Sequence, residues 1–280
     1  MKIHFSTILS LLFLLSCSEG MQKKYYRLED LRILAMITDN PEVNSVQAIT
    51  VTPIISYPDG GSTTLDISYE GCLDPGITYG EELDCDKGIA DTRVSGTYTY
   101  NTSNLGTNSN YTGAVTPFSF TLPAINFVLL NSLTTKAAFN GIDYLIYITV
   151  IDQNNSSQEI EVLKRIKLSS KTSGLNTNPT ITGTIQADGV NLTSYPSSKV
   201  ELTVGGLSDP ESYELETDVG LETIEENMQV TWFTNAGSLQ YTRSVNNDPN
   251  EYDPRSNSGG TIVAIYRDNR GGITYKILSL

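Results

Sequence analysis

The stretch "YLIYITVIDQNNSSQEIEVLKRIKL", residues 144–168, decides the fold class. Two β-branched and aromatic runs, 144–152 and 159–168, flank a polar turn rich in Asn and Ser. Such runs suit a pleated, half-buried surface, and Asp and Asn supply the backbone freedom a tight hairpin needs. The same character recurs at 45–56 (SVQAITVTPIIS), 63–71 (TTLDISYEG), 199–207 (KVELTVGGL), 228–235 (MQVTWFTN), 259–268 (GGTIVAIYRD) and 272–280 (GITYKILSL). Helical spacing shows at 124–139, through Ile125, Val128, Leu129 and Leu133. One short helix among many strands makes the expected class all-β.

The two halves echo each other. "YITVID" (147–152) runs through a polar turn into a strand, and "VAIYRD" (263–268) does the same. Upstream, "ISYEGC" (67–72) holds the place that "VTWFTN" (230–235) holds in the second half. Between them, "SSKTSGLNTNP" (169–179) reads as a linker. The chain therefore divides into a domain at 28–170, with a Gly-, Asn-, Thr- and Tyr-rich insertion at 73–117, and a second domain at 176–280.

With Trp232 where a buried strand-C tryptophan stands, and with Val263–Gly272 shaped like a final hairpin, the chain resembles tandem immunoglobulin-like sandwiches of the polycystic-kidney-disease or cadherin-like kind. The resemblance implies two β-sandwich domains. It departs from antibody-type domains because Cys72 and Cys85 lie on one loop rather than bridging two sheets.

The N-terminus sets the compartment. Met1–Ser16 carries Lys2 and an apolar run from Ile8 to Leu15, too short to span a bilayer and typical of a secretory signal. It ends in Leu14-Leu15-Ser16-Cys17, which resembles the lipobox of bacterial lipoproteins, in a form close to the relaxed boxes of spirochaetes. The segment "LRILAMITDNPEVN" (31–44) resembles the start of spirochaete and related lipoproteins as well. That resemblance implies cleavage after Ser16, a diacylglyceryl group on Cys17 and a further acyl chain such as palmitate. Two or more chains give a stable anchor at about 0.8 kcal/mol per buried CH₂. Residues 17–27 then form a lipidated tether, and Ser18 suits outer-membrane sorting, on the periplasmic or the surface face.

Charge and composition exclude whole classes of function. The formal charge is −14, and removing Lys2 with the signal leaves 17 basic residues against 32 acids, or −15. Nucleic acid is repelled by such a chain, and no basic patch argues otherwise. The single histidine, His4, lies within the signal. The mature chain thus lacks the imidazole that Ser-His-Asp and Cys-His catalysis and the common zinc sites require. With Cys17 lipidated, Cys72 and Cys85 remain as an even pair in an exported chain, which points to a disulfide.

Three candidate sites follow. Tyr98, Tyr100 and Tyr111 lie in the 73–117 insertion, where loop tyrosines would contact a protein or glycan ligand, although tyrosine also simply suits strands. Asp209–Glu226 packs acids with no Lys or Arg between them. Asp188, Asp209, Glu211 and Asp268, which could meet at one end of a sandwich, are the candidate calcium ligands, set against a plain solvated acidic loop. Asp152-Gln153-Asn154-Asn155 opens like an EF-hand but lacks its glycine and glutamate, so it reads as a turn. The expected function is a non-catalytic structural, ligand-binding or adhesion module of the cell envelope, with no cofactor other than that calcium. The alternative is an envelope hydrolase of glycosidase type using paired carboxylates alone.

Overall fold

In the computed structural model, which describes residues 25–57, 62–76, 85, 90–105, 112–257 and 259–280, the deciding stretch forms a long antiparallel ladder. The first half comprises β1 (Arg32–Thr38), β2 (Glu42–Val43), β3 (Ala48–Ser56), β4 (Thr64–Leu73), β5 (Val94–Asn101), β6 (Thr112–Ala114) and β7 (Phe118–Thr121). Two short helices follow, α1 (Ile125–Asn131) and α2 (Thr135–Asn140), and then β8 (Ile142–Asp152) and β9 (Asn155–Leu168). One sheet runs β1-β3-β6 with β7 also on β3, and the other runs β2-β9-β8-β4-β5. Their inner positions meet in a core that includes Ile49, Val51, Ile55, Leu65, Ile67, Ile146, Ile148 and Val150.

The second half carries β10 (Ile185–Ala187), β11 (Val190–Asn191), β12 (Val200–Val204), β13 (Ser212–Thr217) and β14 (Gly220–Glu225). It continues with β15 (Gln229–Thr234), β16 (Ser238–Leu239), β17 (Arg243–Val245), β18 (Asn250–Asp253), β19 (Thr261–Arg267) and β20 (Ile273–Ser279). Sheets β11-β10-β12-β18-β16 and β17-β15-β19-β20 share a core around Trp232, Tyr252, Leu202 and Ile262. The fold is all-β, built of sandwiched sheets.

The echo between the halves has a structural basis. The ladder β4-β8-β9 in one half matches β15-β19-β20 in the other, the order of strands C, F and G in an immunoglobulin-like sheet. Its closing aspartates do the same work. Asp152 is buried and accepts from Tyr57 Oη at 3.1 Å, Thr63 Oγ1 at 2.6 Å and Asn154 N at 2.9 Å. Asp268 is buried and accepts from the backbone N–H groups of Arg270 and Gly272. Each carboxylate ties a turn whose amides would otherwise lack partners.

Strand β19 reads TIVAIYR with nearly every residue buried, because both its faces are covered. Ile262, Ala264 and Tyr266 face the second core. Val263 and Ile265 join Leu28, Leu34, Ala35, Ile54 and Ile273 in a separate apolar seam between the halves.

Four expectations change. The helical stretch 124–139 is two helices: Thr134 caps α2 through Ala137 N, and its extended backbone breaks the run. Region 73–117 is not a plain insertion, since it contributes β5 and β6 to the two sheets. The linker 169–179 is not a solvated connection. Ser169, Lys171 and Asn176 are buried; Asn44 and Glu42 of the first half hold Lys171 O and Asn176 N, and Asp268 of the second half accepts from Asn176 Nδ2. The tether does not extend to Arg27 either. Tyr26 is buried in the second core, Arg27 bridges to Thr234, and Leu28 N donates to Thr234 O at 3.0 Å. Residues 26–28 thus belong to the second half's packing although they precede the first half in sequence. Cys17 and the signal segment lie outside the described residues.

Candidate functional site

The tyrosines of the 73–117 region are placed by their register. On β5, Tyr98 lies opposite Ile67 and Tyr100 opposite Leu65, and both partners point into the core. Tyr100 is buried, and Tyr98 packs against the core with its ring 5.9 Å from that of Phe118. Gly96 lies opposite Tyr69, whose ring fills the space a Cβ would need. Burial pushes the Tyr98 and Tyr100 hydroxyls above their usual pKa. These two are therefore structural tyrosines rather than loop contacts, and Tyr111 lies outside the described residues. The period-2 alternation of "VSGTYTYN" was the signal that could have shown it.

Replacing Tyr98 and Tyr100 together by Ser should lower stability by several kcal/mol, on the order of the cost of emptying large core sites. Tyr98 Oη has no hydrogen-bond partner among the described residues. Tyr98→Phe should therefore be neutral or slightly stabilising. Chemical denaturation followed by circular dichroism distinguishes the two variants.

Cys72 is the next-to-last residue of β4, and its disulfide to Cys85, with Cα atoms 5.8 Å apart, packs on Leu145 at the outer face of the sheet. The candidate calcium ligands do not assemble. Among the described residues no three acids converge as a metal site would require. Asp188 turns the β10–β11 hairpin and accepts from Glu201 N at 2.9 Å. Glu211 accepts from Thr177 Oγ1 at 2.6 Å. Asp268 is filled by its own turn and by Asn176 Nδ2 at 3.2 Å. The acidic stretch 209–226 is mostly the β13–β14 hairpin rather than a loop, and its second strand is solvent-exposed apart from the half-buried Ile224. The hairpin docks on α2, where Asn140 and Glu216 exchange two hydrogen bonds at 2.8 Å and Lys136 meets Asp218 at 2.5 Å.

That docking builds a cleft of about 400 Å³ at the junction of the halves. Strands β8 and β9 supply Asp143, Arg165 and Lys167, and the connecting segment supplies Lys171. The hairpin supplies Tyr213 and Leu215, and the β19–β20 turn supplies Asn269 and Arg270. Its floor is a buried charge network. Glu42 Oε2 accepts from Arg270 Nη2 at 2.6 Å and from Asn176 N at 2.9 Å, and Glu42 Oε1 lies 3.4 Å from Lys171 Nζ. Arg270 also pairs with Glu226 at 3.4 Å and stacks on the Tyr213 ring at 4.4 Å. Lys164 donates to Gly271 O.

Electrostatics in this network follow from burial. Burial alone would raise the Glu42 carboxyl, but the Ser169 hydroxyl, the Asn176 N–H, Lys171 and Arg270 outweigh it and hold the pKa below its usual value. Burial raises Glu226, with the neighbouring charges of Asp268 and Glu211 adding to it, and burial also raises Asp268. Lys164 is lowered to about 8 by burial. Sequence reading missed this cluster because its members are scattered from residue 42 to residue 270.

No protein-family model matches the chain, and no curated protein matches it in sequence. Among solved structures, red sea bream transglutaminase aligns over 90% of this chain and 31% of its own, at 11% identity and a TM-score of 0.30. This chain therefore spans about a third of that enzyme's length. The sporulation control protein Spo0M of Bacillus subtilis aligns over 89% and 90% of the two chains, at 9% identity and a TM-score of 0.24. The calcium-binding domain CBD12 of CALX1.1 aligns over 84% and 81%, at 8% identity and a TM-score of 0.21.

Proposed function

We propose that this chain is a lipid-anchored cell-envelope protein whose β-sandwich halves form a non-catalytic structural or ligand-binding module. The observation that carries the reading is the use made of its buried carboxylates. Asp152 and Asp268 tie turns, and Glu42 and Glu226 hold Arg270. Glycoside hydrolysis needs two carboxyl groups free to act across a cleft, one of them a proton donor with a raised pKa. In the junction cleft Glu42 is held ionised, and Asp143 is shared by Lys167 at 2.7 Å and Arg165 at 3.9 Å. That chemistry favours a module over a hydrolase.

The anchor is Cys17. The nine residues from Cys17 to Tyr25 reach at most about 30 Å, so a docked Tyr26 keeps the second half close to the bilayer. Cys17→Ser should abolish incorporation of labelled fatty acid and move the protein from the detergent phase to the aqueous phase. Unchanged detergent partitioning by that variant would remove the lipoprotein reading. Turnover of an envelope polysaccharide that disappears in Asp143→Asn would replace the module with the hydrolase.

A further inference from the structure

We infer that the junction cleft binds a small organic oxyanion, its carboxylate or phosphate group held by Arg165, Lys167 and Lys171. This rests on the binding-module reading and gives that module a site and a ligand class. Four of the chain's 18 basic residues line this one cleft, in a protein of formal charge −14. Their counter-charges are already divided. Arg270 takes one oxygen of Glu42 and pairs with Glu226, which leaves Lys171, among the described residues, a single ion contact at 3.4 Å to the other oxygen. Otherwise the Lys171 ammonium faces aromatic rings, 5.3 Å from the Phe139 centroid and 6.0 Å from that of Tyr213.

Lys167 and Arg165 share Asp143, and the arginine is 3.9 Å from it. The Arg165 guanidinium makes no hydrogen bond to a described residue, and its side chain is 49% exposed. An arginine fork with free N–H groups beside two ammonium groups matches the oxygens of a carboxylate or phosphate. The cleft volume lies within the range that holds a small molecule, with Tyr213 and Leu215 as an apolar wall for its carbon skeleton. The floor is buried and cross-linked by ion pairs, so little ordering is left to be done when an anion enters.

The test is isothermal titration of the intact chain, at low and at physiological salt, with inorganic phosphate, glucuronate and glucose. Saturable binding of phosphate or glucuronate, and none of glucose, is expected. Arg165→Gln and Lys167→Gln should each weaken it by about tenfold, the loss of one charge-assisted contact. Both side chains are partly exposed, so the variants should keep the parent's circular dichroism and melting temperature. Lys199→Gln, an exposed cation paired with Glu251, is the control and should leave binding unchanged.

Binding of phosphate without glucuronate assigns the site to phosphoryl groups, and the reverse assigns it to carboxylates. The inference is overturned if neither anion binds saturably, if glucose binds as well as glucuronate, or if Lys199→Gln weakens binding as much as Arg165→Gln. In those cases the module reading still stands or falls on Cys17 and on capture of an envelope partner with the cleft intact.

Discussion

Glu42→Ala should destabilise the protein by about 3–5 kcal/mol, because it strips the shared counter-ion from two buried cations. The Glu42 side chain is 2% exposed, and those of Lys171 and Arg270 are 7% and 9%. An alanine leaves Arg270 with the longer contact to Glu226, Lys171 without an ion partner, and Asn176 N without its acceptor. For a chain of this size the melting temperature should fall by roughly 10 °C. Glu42→Gln should cost less, since an amide oxygen still accepts from Asn176 but balances no charge.

The effect also has a pH signature. Because the folded Glu42 pKa is depressed, its contribution is present above the unfolded value, near 4.5, and is lost as pH falls through the lower folded value. Glu226 and Asp268 act with the opposite sign: their raised pKa values cost stability as pH rises through them. The stability gap between parent and Glu42→Ala should therefore be full at pH 7 and shrink below about pH 4.5. Urea denaturation across pH 3–7 measures it. A gap that stays constant down to pH 3 would show that Glu42 acts through packing rather than charge.

Trp232→Ala should be equally damaging, at about 3–5 kcal/mol, for a different reason. Trp232 is fully buried between the two sheets of the second half and pairs in register with Ala264. Its Nε1 donates to the Ser244 hydroxyl, itself buried, at 3.0 Å. Alanine opens a large void and orphans that hydroxyl. Phenylalanine keeps most of the packing and should cost about 1–3 kcal/mol, the hydrogen bond and a smaller gap. Circular dichroism is the readout, because Trp232 is the one tryptophan of the chain. A loss below 1 kcal/mol in Trp232→Ala would mean that the second core closes around the void.

How much was legible in advance follows the range of the forces involved. Strand runs such as 144–152 and 159–168 declare themselves because β-branched and aromatic side chains alternate or cluster over a few residues, a strictly local pattern. Asp152 and Asp268 were legible as turn residues for the same reason. Tyr98 and Tyr100 were readable in principle, but glycine- and threonine-rich composition masked an alternation that carries only two large side chains.

The confinement of histidine to position 4 and the pairing of Cys72 with Cys85 were legible in the sequence by itself, since each depends on residue type and spacing. The junction was not. Glu42, Lys171, Glu226 and Arg270 are separated by tens to hundreds of residues and meet through the packing of β1, β19 and β20 along one apolar seam. Tyr26 and Leu28 likewise cross from the start of the chain to the second half. A charge written in the sequence says nothing of its partner until burial removes water and makes pairing compulsory, and burial is a property of the tertiary structure.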